Sequence, residues 1–156
     1  MKNILTIDVE DYFQVENFKK YIDYNEWDDY ECQIEKNISM ILNILDRFNY
    51  KATFFVLGWI AERYPATIRE IYNKGHEIAT HGYGHELIYK QSKEEFKNDL
   101  LASINIIENI IDDKIVGYRA PAFSITNESY WALDIIKKAG LQYDASIFPI
   151  KGHDRY

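Results

Sequence analysis

Ala52-Thr53-Phe54-Phe55-Val56-Leu57-Gly58 is a continuous run of apolar and β-favouring residues closed by glycine, with no polar alternation. A strand of that kind is buried on both faces, as in a parallel sheet covered by helices. Working outward, Ile34, Ile38, Ile41, Leu42, Leu45 and Phe48 recur at helical spacing and predict a helix from about Ile34 to Phe48. Before it, Ile4 to Val9 reads as a first strand. Beyond the central run, Pro65 suits the first turn of a helix to about Lys74, and Gly75 suits its C-terminal cap. Glu77-Ile78-Ala79 is a short third strand that feeds into His81. Ser92-Lys93-Glu94-Glu95 has capping-box spacing and opens a helix to about Ile111. Ile115-Val116-Gly117-Tyr118 delivers Arg119, a helix from about Glu128 to Ala139 ends at Gly140, and Leu141-Gln142-Tyr143 delivers Asp144. This alternation predicts an α/β fold with a parallel sheet. Five strand–helix units do not close a barrel, so the chain reads either as an open sheet or, preferably, as the N-terminal part of a barrel. The segment from Tyr12 to Cys32 is the least regular and reads as an excursion above the first strand.

The 156 residues suffice for one domain with a real core, and 47% hydrophobic and 15% aromatic content exclude a disordered chain. The formal charge of −7, with no basic stripe, argues against nucleic acid as a partner. Cys32 is the only cysteine, which excludes an internal disulfide and a thiolate metal cluster. No apolar run approaches the ~20 residues of a membrane span, and the first strand begins where a signal peptide would lie. A soluble, cytoplasmic protein is the expectation.

In parallel α/β folds functional groups gather at the C-terminal ends of strands. Asp8, His81, Arg119 and Asp144 all fall there, which puts acid, imidazole and guanidinium groups around one mouth. His81 and His85, four residues apart in Thr80-His81-Gly82-Tyr83-Gly84-His85, can close on one cation, although spacing alone equally allows a structural pair. In an extended chain Asp8 and Glu10 point to one side, so one can bind a metal while the other takes a proton. Two imidazoles and a carboxylate also describe an iron oxygenase site, a reading that leaves the extra carboxylate and Arg119 without work. Arg119 can fix the orientation of a carboxylate base, with Pro121 stiffening the loop. Tyr12, Phe13, Tyr83 and Phe123 are candidates to line the cleft, against core packing as the alternative. His76 and His153 read as structural or surface residues.

These motifs resemble the polysaccharide deacetylases of the NodB-homology, carbohydrate-esterase type. Leu5-Thr6-Ile7-Asp8 is similar to the motif with catalytic base and acidic ligand, Gly75 to Glu86 to the metal-histidine motif, Tyr118-Arg119-Ala120-Pro121 to the arginine motif, and Asp144-Ala145-Ser146 to the start of the fourth. Ile7-Asp8-Val9-Glu10-Asp11-Tyr12-Phe13 and Ile147-Phe148-Pro149-Ile150 look most like the exosortase-linked exopolysaccharide branch. The resemblance implies an incomplete, deformed (β/α)7 barrel over residues 1–156, truncated at the C-terminus, with the general-acid histidine beyond Tyr156. It implies a metal-dependent hydrolase that removes N-acetyl groups from an amino-sugar polysaccharide or oligosaccharide. Zn²⁺, or another divalent metal such as Co²⁺, would be held by Glu10, His81 and His85, with Asp11 as the alternative acidic ligand. Asp8 would be the base, Arg119 its partner, and the backbone N–H near Ala122 would meet the oxyanion. Gly82 stands where the family usually has Ser or Thr, and Ala122 where many members have Tyr. The rivals are an amidohydrolase of a small cyclic amide or imide and a degenerate domain that binds glycan without turnover.

Overall fold

The computed structural model describes residues 3–147; His153 and the stretch Phe148-Pro149-Ile150 lie outside them. Five strands, β1 (Thr6–Val9), β2 (Thr53–Val56), β3 (Glu77–Thr80), β4 (Gly117–Tyr118) and β5 (Tyr143–Asp144), form one parallel sheet in the order β1-β2-β3-β4-β5. Between them run α1 (Ile34–Arg47), α2 (Gly58–Arg63), α3 (Pro65–Asn73), α4 (Lys93–Ile111) and α5 (Trp131–Lys138). Strands added always on the same side, through right-handed crossovers, place every helix on one face of the sheet. That is the arrangement of a barrel arc, not of a doubly wound sheet, whose order reverses.

The register separates the two faces. Ile7, Phe54 and Ile78 form one row of partners and Val9, Val56, Thr80 and Tyr118 the next. All of these but Thr80, which bonds Ser103 of α4, share a core with Ile38, Leu42, Ile68, Ile71, Leu100, Ile107 and Ile136 of the helices. Burying Phe54 or Val56 completely stabilises the fold by about 1.5–3 kcal/mol each. The opposite face carries Thr6, Thr53 and Glu77 in one row and Asp8, Phe55 and Ala79 in another. Polar bonds cross its first row: Thr53 Oγ1 and Tyr143 Oη both donate to the Glu77 carboxylate. Gly117 sits where a Cβ would fall 2.2 Å from the Tyr143 ring, so only glycine admits that ring across β4.

Several boundaries move. Asn3 to Leu5 are not strand, and Ile4 is exposed. The fourth strand shrinks to two residues, and the last helix begins at Trp131 after a 3-10 turn, Asn127–Ser129. Phe48 leaves the apolar face of α1 and stacks on Tyr50 at the surface. Gly58 ends the central run as expected but also starts α2, which the sequence does not announce. A Cβ there would meet Tyr83 Cδ2 at 2.6 Å and Ser103 at 3.1 Å, so glycine lets α2 press against the histidine loop. The capping box at Ser92 and Glu95 forms as read.

The excursion between β1 and α1 is held by an aromatic cluster that continues into α2. Phe13 stacks on Tyr30 and meets Trp27 and Trp59 edge-on. Its two ends are joined by Asp11, whose carboxylate accepts from the backbone N–H of Tyr12 and of Gln33.

Candidate active site

Strand parity decides which residues meet. Successive side chains alternate between faces, so Asp8 and Glu10, His81 one past Thr80, and Arg119 one past Tyr118 share the face opposite the helices. Asp144 pairs with Tyr118 and has the opposite parity. It was expected around the mouth; instead its carboxylate accepts from the backbone N–H and the hydroxyl of Ser146. Ser146 Oγ in turn accepts from Ala120 N at 2.7 Å, so Asp144 anchors the loop after Arg119. Burial pushes the Asp144 carboxyl up, against the opposing effect of Ser146 and Arg119.

A cleft of about 200 Å³ opens at the strand ends, lined by Asp8, Glu10, Val15, Glu16, Asn17, His81, His85, Ala120, Ala122 and Phe123. Glu10, His81 and His85 each offer one ligand atom within 4.8 Å of the others. His81 is fully buried, and its Nδ1 lies 2.7 Å from Arg119 O. A carbonyl only accepts, so Nδ1 carries the proton and Nε2 keeps its lone pair free to bind a cation. Burial holds the His81 pKa below its ordinary value and so favours the neutral ligand form, with His85 acting the same way and Asp8 and Glu10 opposing. Glu10 Oε2 lies 2.7 Å from His85 Nε2, close enough for both to bind one cation. Burial raises the Glu10 carboxyl, but His85 and His81 outweigh it and the net shift is downward. A nitrogen, nitrogen, oxygen donor set of this kind suits Zn²⁺ or Co²⁺.

Glu10 rather than Asp11 reaches the histidines. Both Asp11 oxygens are taken by Tyr12 N and Gln33 N, on the side away from the cleft. Beside the triad, Arg119 Nη1 donates to Asp8 Oδ1 at 2.7 Å and Nη2 donates to Thr6 Oγ1 at 3.1 Å. The guanidinium lies 4.0 Å from the centre of the Phe55 ring, a cation–π contact that fixes its plane. Ala122 and Phe123 are consecutive left-handed residues, at φ 48° and 53°. Non-glycine residues held there cost about 1–2 kcal/mol each, and such strain collects at functional sites.

Tyr12 and Tyr83 do not line the cleft. Tyr12 is half exposed, edge-on to Phe13 and Tyr30. Tyr83 turns towards the helices, donates its hydroxyl to Glu62, and covers Gly58. Phe13 belongs to the core of the excursion, and His76 is structural, its Nδ1 accepting from Ala52 N at 3.2 Å.

Asp99 on α4 is the residue the sequence reading missed. Its Oδ1 accepts from Tyr83 N and its Oδ2 from Gly84 N, both at 2.9 Å, inside the loop that carries both histidines. Gly82 has φ +77°, and a Cβ there would lie 2.8 Å from Asp99 Oδ1. The glycine at 82 and the acid at 99 therefore belong together. The loop is held elsewhere too: Gly58 N and Trp59 N, at the start of α2, donate to Gly82 O and Tyr83 O. Gly82 N donates to Thr80 Oγ1. The signal for Asp99 was an acid spaced with Phe96, Leu100 and Ser103 on the buried face of its helix.

The family model described as "Polysaccharide deacetylase" matches residues 19–143. A peptidoglycan-N-acetylglucosamine deacetylase of Bacillus cereus is 34% identical over 101 residues, covering 60% of this chain and 34% of its own length. The peptidoglycan deacetylase-like protein FGM2 of Gibberella zeae is 31% identical over 119 residues, 75% of this chain and 33% of its own. Among solved structures, a Mycobacterium smegmatis protein assigned to the polysaccharide deacetylases superposes with a TM-score of 0.72 at 29% identity, covering 90% of this chain and 49% of that one. The chain thus spans about a third of the length of the curated relatives it matches.

Proposed function

The chain belongs to the polysaccharide deacetylase family, and from that premise we propose that it serves hydrolysis of N-acetyl groups on an amino-sugar polymer, with Glu10, His81 and His85 as ligands of Zn²⁺. The observation that carries the reading is the convergence of those three side chains beside the Asp8–Arg119 pair. When bound, the metal supplies Lewis-acid polarisation of the acetyl carbonyl and a more acidic water.

The remaining work falls to side chains and backbone. Asp8, with Oδ1 fixed by Arg119, presents its other oxygen to take the proton of the attacking water. Water oxygen adds to the carbonyl carbon, the proton taken up by Asp8 passes to the leaving nitrogen as the C–N bond breaks, and acetate and a free amine result. Arg119 acts twice: its guanidinium positions Asp8, and its carbonyl oxygen sets the tautomer of His81. The backbone N–H of Ala122 is assigned to the developing oxyanion; supporting this are the strained conformation of Ala122 and its place in the cleft wall. The open, polar cleft suits a sugar presented from a polymer.

The test is zinc titration by calorimetry together with acetate release from N-acetylglucosamine oligomers. One zinc per chain is expected, with affinity lost in His81→Ala and His85→Ala. A folded protein that takes up no divalent metal refutes the site; a metal-loaded protein that releases no acetate refutes the hydrolase.

A further inference from the structure

A second pocket of about 560 Å³ adjoins the cleft and shares Glu16 and Asn17 with it; its other lining residues are Lys19, Lys20 and Lys90. On a chain of formal charge −7, three cations at one spot run against the general trend. They come from two separate segments, Lys19 and Lys20 from the excursion and Lys90 from the 3-10 turn Ile88–Lys90 after the histidine loop. Lys90 reaches Glu16 at 3.2 Å and Lys19 reaches Glu86 at 2.6 Å. With both carboxylates counted the pocket still keeps an excess positive charge. Lys20 has no ion-pair partner among the described residues, only the face of Tyr21 at 5.0 Å.

The polar inventory of this pocket is also incomplete. Glu16 Oε2, on the wall common to both pockets, is buried without a partner. A buried acceptor left unmatched in a pocket calls for a ligand that donates to it. A sugar hydroxyl would satisfy Glu16, and a negatively charged oxygen group would satisfy the lysines.

We propose that this lysine-lined pocket is a subsite for an anionic sugar, adjacent along the polymer to the sugar held in the cleft. The inference rests on the deacetylase reading for its polymer and adds the charge class of the substrate. A glycan whose reacting unit lies over Glu10 and the histidines leaves the cleft along Glu16 and Asn17, directly into this pocket.

Binding of the full 156-residue chain is measured by calorimetry with an N-acetylglucosamine oligomer, with an oligomer of equal length that alternates N-acetylglucosamine and glucuronate, and with a sulfated counterpart. At about 20 mM salt the charged oligomers should bind about tenfold more tightly than the neutral one, and at about 500 mM salt the gap should close to about twofold. Whether the carboxylated or the sulfated oligomer gains more identifies the anion. The double variant Lys20→Ala, Lys90→Ala should remove the preference, whereas His81→Ala should keep it while losing zinc. Equal binding of charged and neutral oligomers, no binding of the charged ones, or a preference that survives the double variant overturns the subsite. Acetate release without charge preference would refute the subsite alone; charge preference without acetate release would refute the hydrolase alone.

Discussion

Replacing Asp99 with alanine removes the carboxylate that grips the histidine loop from α4. Two backbone N–H groups, of Tyr83 and Gly84, lose acceptors at 2.9 Å. Hydrogen bonds to a charged acceptor contribute about 1.5–3 kcal/mol each, so about 3–6 kcal/mol is at stake before offsets. Burial raises the Asp99 carboxyl above its ordinary value despite those two bonds, so desolvation takes back part of this. The net loss expected is about 2–3 kcal/mol, or about 1–2 M in urea midpoint for a domain of this size. His81 and His85 bracket the released backbone, so zinc affinity should fall about 10–100-fold, as when the outer support of a metal ligand is removed. Asp99→Asn should recover little, because the amide offers one acceptor and turns a second donor onto the other N–H. The measurements are urea unfolding followed by circular dichroism and zinc competition with a chromophoric chelator. An alanine variant that unfolds within about 0.5 kcal/mol of the parent and binds zinc equally well would show that Asp99 does not hold the loop.

Arg119→Lys keeps the charge but cannot span Asp8, Thr6 and the Phe55 face together, so acetate release should fall about 10²–10³-fold while zinc affinity stays within about twofold. Equal losses of both would contradict the separate roles given to the Arg119 side chain and carbonyl. Metal-free protein should lose stability on acidification in two windows. His81 is held below its ordinary 6.5 by burial, so the unfolded chain binds the proton first, and stability present above 6.5 is lost as pH falls through the folded-state value. Glu10, raised by burial but brought below 4.5 by His85 and His81, acts in the same direction as pH falls from 4.5. Urea midpoints of the metal-free chain against pH test both, and a midpoint that rises on acidification below 6.5 contradicts the burial of a neutral His81.

The apolar run at Thr53–Val56, the capping box at Ser92 and the strand-end positions of Asp8, His81 and Arg119 are all legible in the residues, because burial and parity leave periodic marks. Asp144 shows the limit of that reasoning: standing at a strand end does not say which face the side chain takes, and the register with Tyr118 turns it away from the cleft. Tyr83 stayed open between cleft and core because an aromatic between two glycines carries no period to reveal its direction. Asp99 stayed hidden because an acid within Lys93-Glu94-Glu95-Phe96-Lys97 and its neighbours looks like solvated surface unless its helical phase is followed. Alternation along an extended chain favours Glu10 over Asp11 without removing Asp11, and the structure sends the two carboxylates to opposite sides.

Asp11 closes the ring of chain that begins at Tyr12 and returns at Gln33, and Phe13 and Trp27 inside that ring dock it on Trp59 of α2. Such a segment behaves as a cassette. Its ends sit at a fixed separation on the rigid scaffold, while Glu16, Asn17 and the two lysines project from its middle over the mouth. Exchange of that cassette would replace the wall formed by Glu16 and Asn17 in one step and leave His81, His85, Asp8 and Arg119 in place.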